Sequence, residues 1–238
     1  MLRAARSGAP RNLLGVERQT IPRPLPRGPH NLTRDDVLAS QRERMIDAVA
    51  ATVARKGYVS TTVGDIVAGA GVSRKTFYEH FRDKEECFLG AFDAGVEALL
   101  AAIVAATPDR PGQIALLRAR VRAYLETLAS RPDFARTFLI EVFAAGPRAL
   151  ARRAAVLRRF QQLVADFHAE TRRKLPELPE LPQPIWTAAV GALNEVVSQH
   201  VSEGAAERLP ELEDTLVYIQ VALCAGPAAA GSLGLAEL

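Results

Sequence analysis

The sequence predicts an all-α protein: a small three-helix unit near the N-terminus, then a larger helical domain, with about nine helices in all. Three observations predict it. Apolar residues recur at three- and four-residue spacing through most of the chain. Helix-capping residues, glycines and prolines punctuate that pattern at short intervals. A chain of 238 residues that is 48% hydrophobic is long and apolar enough for a real core.

Residues 1–36 stand apart. They are rich in Arg, Pro and Gly, as in "RQTIPRPLPRGPHN", and lack periodicity. They read as a flexible arm. An Arg-rich, acid-poor start also fits an organelle-targeting peptide, but the prolines argue against the amphipathic helix this requires. Seven arginines face only Glu17 and Asp35 in residues 1–35, a local balance of +5, whereas residues 85–238 sum to −4 within a chain total of +3. A basic segment ahead of a small domain is an electrostatic footprint of polyanion binding. A disordered tail without a partner explains it as simply.

From Val37 to Lys56, Met45, Ile46, Val49 and Val53 recur on one helical face, and Gly57 ends the run. "STT" at 60–62 offers an N-cap, with Asp65 three residues after Thr62. Val63, Ile66, Val67 and Ala70 then line a short second helix, which "AGAG" at 68–71 breaks. Ser73 caps a third helix running to about Phe81, and Asp83 a fourth, with Glu85 and Glu86 in its first turn. On the third helix Phe77 and Phe81 share a face that fits Ile66 and Val49. Lys75, Glu79 and Arg82 point the other way, with Tyr78 on one flank and Thr76 and His80 on the other. Residues 37–84 therefore have the layout of a helix-turn-helix unit. A helix held by two phenylalanines that presents cations, hydroxyls and an imidazole outward suits the major groove of a duplex.

"GVSRKTFYEHFRDKEECF", preceded by "TTVGDIVAGAGVS", resembles the DNA-binding domain of the TetR/AcrR family of bacterial transcriptional regulators over roughly residues 41–90. The resemblance implies that Thr62, with Thr61 beside it, meets phosphate. It implies that Ser73, Arg74, Lys75 and Thr76 face the major groove, and that Tyr78, His80 and Lys84 hold the phosphate backbone. Hydroxyls and helix N-termini suit phosphate, and Arg or Lys can read guanine. Lys75 departs from the small residue common at its position, so no known operator transfers.

The remainder, 85–238, reads as six further helices: 87–106, 111–130, 133–145, 148–174, 185–204 and 209–225, with a proline-rich linker "PELPELPQP" at 176–184. The resemblance implies an effector-binding and dimerisation domain. Candidate effector-binding residues are Tyr124, Phe134, Phe138, Phe160, Phe167, His168, Trp186 and Asn194, an apolar set that fits a small hydrophobic or aromatic ligand; helical aromatics also fill ordinary cores. On the last two helices Ala188, Gly191, Ala192 and Glu195, with Leu216, Ile219 and Leu223, are candidates for a homodimer interface, or else for intramolecular core.

Other classes find no support in the residues. Cys87 and Cys224 make no disulfide framework and fit a reducing cytoplasm, as core residues or as a reactive pair. No apolar run of about 18 residues is free of charge, and no secretory signal precedes the arm, so no membrane partner is expected. His30, His80, His168 and His200 lack metal-ligand spacing. No catalytic or nucleotide-binding motif appears. We therefore expect no enzyme, catalytic residue, metal or cofactor. The expected partners are double-stranded operator DNA, a small effector and a second copy. The expected function is a cytoplasmic, ligand-released repressor, with an activator of the same fold or a sequence-indifferent DNA-coating protein as alternatives.

Overall fold

A computed structural model describes residues 33–226, together with Ala229. The arm proposed for residues 1–36 lies almost wholly outside the described residues, as does His30. Among the described residues there are nine α-helices, two short 3-10 helices and no strand. They group into two compact units that meet at residues 98 and 99, within the fourth helix rather than at its start.

The first unit opens with α1 (Arg34–Lys56). It begins three residues earlier than its apolar pattern does, because Thr33 caps it. The Thr33 hydroxyl accepts from the Asp36 amide, and the Asp36 carboxylate accepts from the Thr33 amide at 2.9 Å. Such reciprocal bonds satisfy two amide groups that a helix start otherwise leaves unpaired. Met45, Ile46, Val49 and Val53 are buried, as their spacing demands. Gly57 ends the helix at φ 81°, where a side chain would be strained.

α2 (Val63–Ala70) starts on a second capping box, from Thr62 to Asp65. Lys56 approaches the same Asp65 carboxylate to 2.6 Å, and the bonds from Lys56 and Thr62 hold Asp65 well below the usual carboxylate range. Gly71 turns the chain at φ 62°. Ser73 then caps α3 (Arg74–His80). α4 (Lys84–Ala105) follows, and the Glu86 amide donates to Asp83 at 2.8 Å, as an N-cap requires. By length and composition α4 could cross a membrane; in this fold Cys87, Phe88, Phe92, Val96 and Leu99 on it are buried.

The second unit contains α5 (Gln113–Ala129), α6 (Pro132–Leu139), α7 (Pro147–Lys174), α8 (Gln183–Ser202) and α9 (Glu213–Ala225). Two expected helices divide. The stretch 133–145 leaves the α-helix at Ile140 and continues as a 3-10 turn, Glu141–Ala144. The stretch 209–225 begins within a 3-10 segment, Ala206–Leu212, whose Pro210 has no amide hydrogen to donate, and α9 starts only at Glu213. There Arg122 donates to Glu213 at 2.8 Å while Arg118 binds Glu213 and Asp214, so two α5 cations meet the first turn of α9. That turn is the end where helix dipoles favour carboxylates. The linker between α7 and α8 is non-helical as expected, and His168 and Arg172 bind its carbonyls at Pro179 (3.0 Å) and Leu178 (3.0 Å).

Candidate nucleic-acid interface and ligand cavity

α3 is only two turns long, so its own hydrogen bonds do not hold it. Packing does. Phe77 and Phe81 are buried, 5.8 Å apart between ring centres, as are Ile66 and Val49. Arg42 covers Phe81 at 5.2 Å. Gly69 lets α2 approach α1 closely: a methyl group there would come within 3.2 Å of the Ala48 Cβ. Arg44 donates to the Ala70 carbonyl at 2.9 Å, closing the C-terminal end of α2.

Against this packed floor the outward groups are Ser73, Arg74, Lys75 and Tyr78, all exposed, Tyr78 to 58%. Thr76 is half-buried and its hydroxyl lies 2.9 Å from that of Ser73. The expected face of α3 is therefore formed. His80 is half-buried, with Nε2 3.3 Å from the Gln41 side-chain oxygen. Burial, helped by the nearby Arg42 charge, lowers its pKa from 6.5, so the ring is neutral at pH 7.

One expected phosphate contact needs correction. Thr61 is only 2% exposed, and its hydroxyl donates to the Gly57 carbonyl at 2.8 Å. It closes the turn between α1 and α2 and presents nothing outward. Thr62 is exposed, though its hydroxyl also serves the α2 cap. Lys84 is not a free surface cation either: it donates to the Tyr58 carbonyl at 2.9 Å and lies 4.2 Å from the centre of the Tyr58 ring. Burial, with the Lys56 charge, lowers its pKa. Two of its three ammonium hydrogens remain for a phosphate.

The second unit contains a partly open cavity of about 100 Å³. Of the residues named from the sequence, Tyr124, Phe138, Phe160, Phe167 and Asn194 line it. Three other candidates do not. Phe134 is buried against Phe138, the rings 5.6 Å apart. His168 is buried on the linker carbonyl, and Trp186 packs on it at 5.2 Å. These fill core and fasten a loop. Sequence reasoning missed Arg120 and Gln220, which also line the cavity. Both interrupt apolar stripes: Arg120 falls beside Leu117, Val121 and Tyr124, and Gln220 between Leu216 and Cys224 at fourfold spacing. A polar residue on such a stripe is the signal that could have found them.

On α8, Ala188, Gly191 and Glu195 are exposed and Ala192 is half-buried; a methyl group on Gly191 would touch nothing within 4 Å. On α9, Ile219 and Leu223 are half-buried, but Leu216 is 0% exposed and belongs to the core of its own chain, which removes it from the candidate interface. Burial pushes the Cys87 thiol up to about 12 and the Cys224 thiol to about 11, so neither is a reactive thiolate at neutral pH.

Comparison with known proteins places this geometry. Residues 45–91 match the family model described as bacterial regulatory proteins, tetR family. An HTH-type transcriptional repressor of Mycobacterium tuberculosis, Rv1474c, is 31% identical over 104 residues, 43% of this chain and 53% of that protein. The uncharacterized HTH-type transcriptional regulator YerO of Bacillus subtilis is 27% identical over 103 residues, 42% of this chain and 36% of that protein. The matched stretches thus span about half of one relative and a third of the other. Among solved structures, the fatty acid degradation regulator FadR of Bacillus halodurans aligns at a TM-score of 0.68 with 22% identity, covering 77% of this chain and 94% of that one. FadR of Bacillus subtilis, solved with stearoyl-CoA, aligns at 0.64 with 18% identity, covering 77% and 98%. At these identities the structures show a shared fold. The capped helix-turn-helix and its polar α3 face agree with the family match: over residues 45–91 the chain is similar to the bacterial regulatory proteins of the tetR family.

Proposed function

We propose that this chain is a ligand-responsive, sequence-specific repressor that binds a palindromic operator as a homodimer in the cytoplasm and leaves it when a small hydrophobic or aromatic effector binds. The observation that carries this reading is the anchoring of α3. Phe77 is wholly buried while Arg74, Lys75 and Tyr78 on the same two turns are exposed. A helix held this rigidly can read base edges, whereas cations on a flexible tail bind any duplex. Ser73, Arg74, Lys75 and Thr76 meet the groove; Thr62, Tyr78, His80 and Lys84 hold the backbone.

Repression is favoured by the mycobacterial relative, which is named a repressor. A dimer is favoured because one short helix contacts few bases, while two placed about 34–36 Å apart read successive major grooves; the open stripe Ala188, Gly191 and Glu195 supplies a surface for it. Effector control is favoured by the apolar cavity and by the acyl-CoA in the Bacillus subtilis FadR structure. Lys84 and Ile103 belong to one helix, and Ile103 lines the cavity, so ligand binding has a route to the DNA contacts.

Selection of bound sequences from random duplex DNA at near-physiological salt tests the central claim. One palindrome, preferred by about a thousandfold or more over random duplex, is the expected result. Recovery of no motif would replace the repressor with a DNA-coating protein.

A further inference from the structure

Gly64 is the second residue of α2, and nothing in the fold calls for a glycine there. Its backbone is ordinary helix, with no positive φ. Apart from neighbouring backbone, a methyl group on it would meet only the Thr62 hydroxyl at 3.4 Å and Arg74 Nη2 at 3.6 Å, both ordinary contact distances. Alanine would therefore fit, and a helix holds alanine better than glycine. The other two glycines of this stretch have structural reasons. Gly69 lies against Ala48, and Gly71 turns the chain at φ 62°. Gly64 has none inside the folded unit, and its two neighbours are both groups that the reading above turns toward DNA.

What the missing side chain leaves open is a seat for Arg74. From the first turn of α3 its guanidinium leans back over the first turn of α2. Arg74 is exposed, and no hydrogen bond or ion pair joins it to another described residue. The carboxylate one residue beyond Gly64, Asp65, is already taken by Thr62 and Lys56. Lys75 stands about 100° further round α3, so the two long cations leave the helix in different directions. Resting on the reading of α3 as the groove-facing helix, we propose that Gly64 is a specificity-determining position. It keeps open the seat from which the forked Arg74 guanidinium donates to O6 and N7 of one guanine, on the α2 side of the groove. Lys75 reads a separate base pair. A long side chain at 64 closes the seat and turns Arg74 away from its guanine. A methyl group does not.

The test takes the operator recovered by duplex selection and measures the affinity of the full-length protein for each single-base variant of it. Arg74→Ala should lower the preference for guanine at one position of each half-site by about tenfold or more. Gly64→Leu should lose the preference at that same position, and combining it with Arg74→Ala should change nothing further. Gly64→Ala should keep the operator while raising the urea midpoint, which separates the open seat from helix stability. Lys75→Ala should act at a different position. Should Gly64→Leu fail to fold, Gly64→Met closes the same space with another good helix former. Arg74→Lys keeps the charge without the fork, and should lose the guanine while holding random duplex nearly as before. Retention of the guanine by a folded Gly64→Leu or Gly64→Met overturns the proposal. So does an Arg74→Ala protein with every base preference intact, or a Gly64→Ala protein that changes the operator as much as Gly64→Leu. An unchanged protein that recovers no motif refutes the groove-reading role of α3 and this proposal with it; a motif that ignores residue 64 refutes the proposal alone.

Discussion

The two units treat polar side chains in opposite ways. In residues 33–98 each of the first four helix starts is closed by a bond over three residues: Thr33 with Asp36, Thr62 with Asp65, Ser73 with Thr76, Asp83 with Glu86. In the unit beyond residue 98, Arg120 and Gln220 each carry one polar atom into an apolar interior and leave it unbonded. The first arrangement needs nothing else to be stable. The second leaves hydrogen-bonding capacity unused in the interior. The difference is between helix starts closed by local bonds and an interior that keeps two polar atoms without one.

The largest effect should come from removing the floor beneath α3. Phe77→Ala is expected to cost about 3–5 kcal/mol, the usual range for a buried phenylalanine, and to abolish DNA binding with it; urea unfolding and a filter-binding assay read both. Full DNA affinity in that variant would show that α3 is held by something other than its phenylalanines. Gln220→Met should go the other way. Relieving a buried unpaired oxygen is expected to stabilise the free protein by about 1 kcal/mol, seen as a higher urea midpoint. A loss of stability instead would erase the contrast between the units.

The neighbouring threonines sharpen it further. Thr61→Val removes the donor to the Gly57 carbonyl and should cost about 1 kcal/mol, with operator contacts weakened only through the turn. Thr62→Ala should cost about as much through its cap and in addition weaken binding to every duplex. Lys84→Ala should flatten the salt dependence by about one unit across all sequences, whereas Lys75→Ala should change which operator is preferred. Identical behaviour of these two lysine variants on specific and random DNA would mean the reading face lies elsewhere. The smallest effect concerns His80. Its folded pKa lies below the ordinary 6.5, so the unfolded chain takes up the proton first and stability falls as pH drops below about 6.5. His80→Gln should remove part of that decline.

The helix-turn-helix was legible because its signals are local. A threonine three residues ahead of an aspartate, or a glycine after an apolar run, declares a cap from sequence alone. Even there Thr61 and Thr62 could not be separated by spacing, since one hydroxyl is spent on a carbonyl four residues back across the Gly57 turn. The second unit was readable as helices and only half readable as a site. Phe134 and Phe138 differ by one helical turn, yet one fills core and the other lines the cavity. That choice belongs to whichever helices pack beside them, and no window of sequence contains it. Leu216 was misassigned for the same reason. Ile140 and Pro210 broke two helices that periodicity alone had run together.

The capping bonds of the first unit also bear on the order of events during synthesis. Each joins residues three apart, and α1, α2 and α3 together span fewer than about fifty residues. Contacts this short in sequence form quickly, because little chain entropy is lost in closing them. This unit emerges from the ribosome first, and domains tend to fold in that order. Its helices can therefore settle while α8 and α9 are still untranslated.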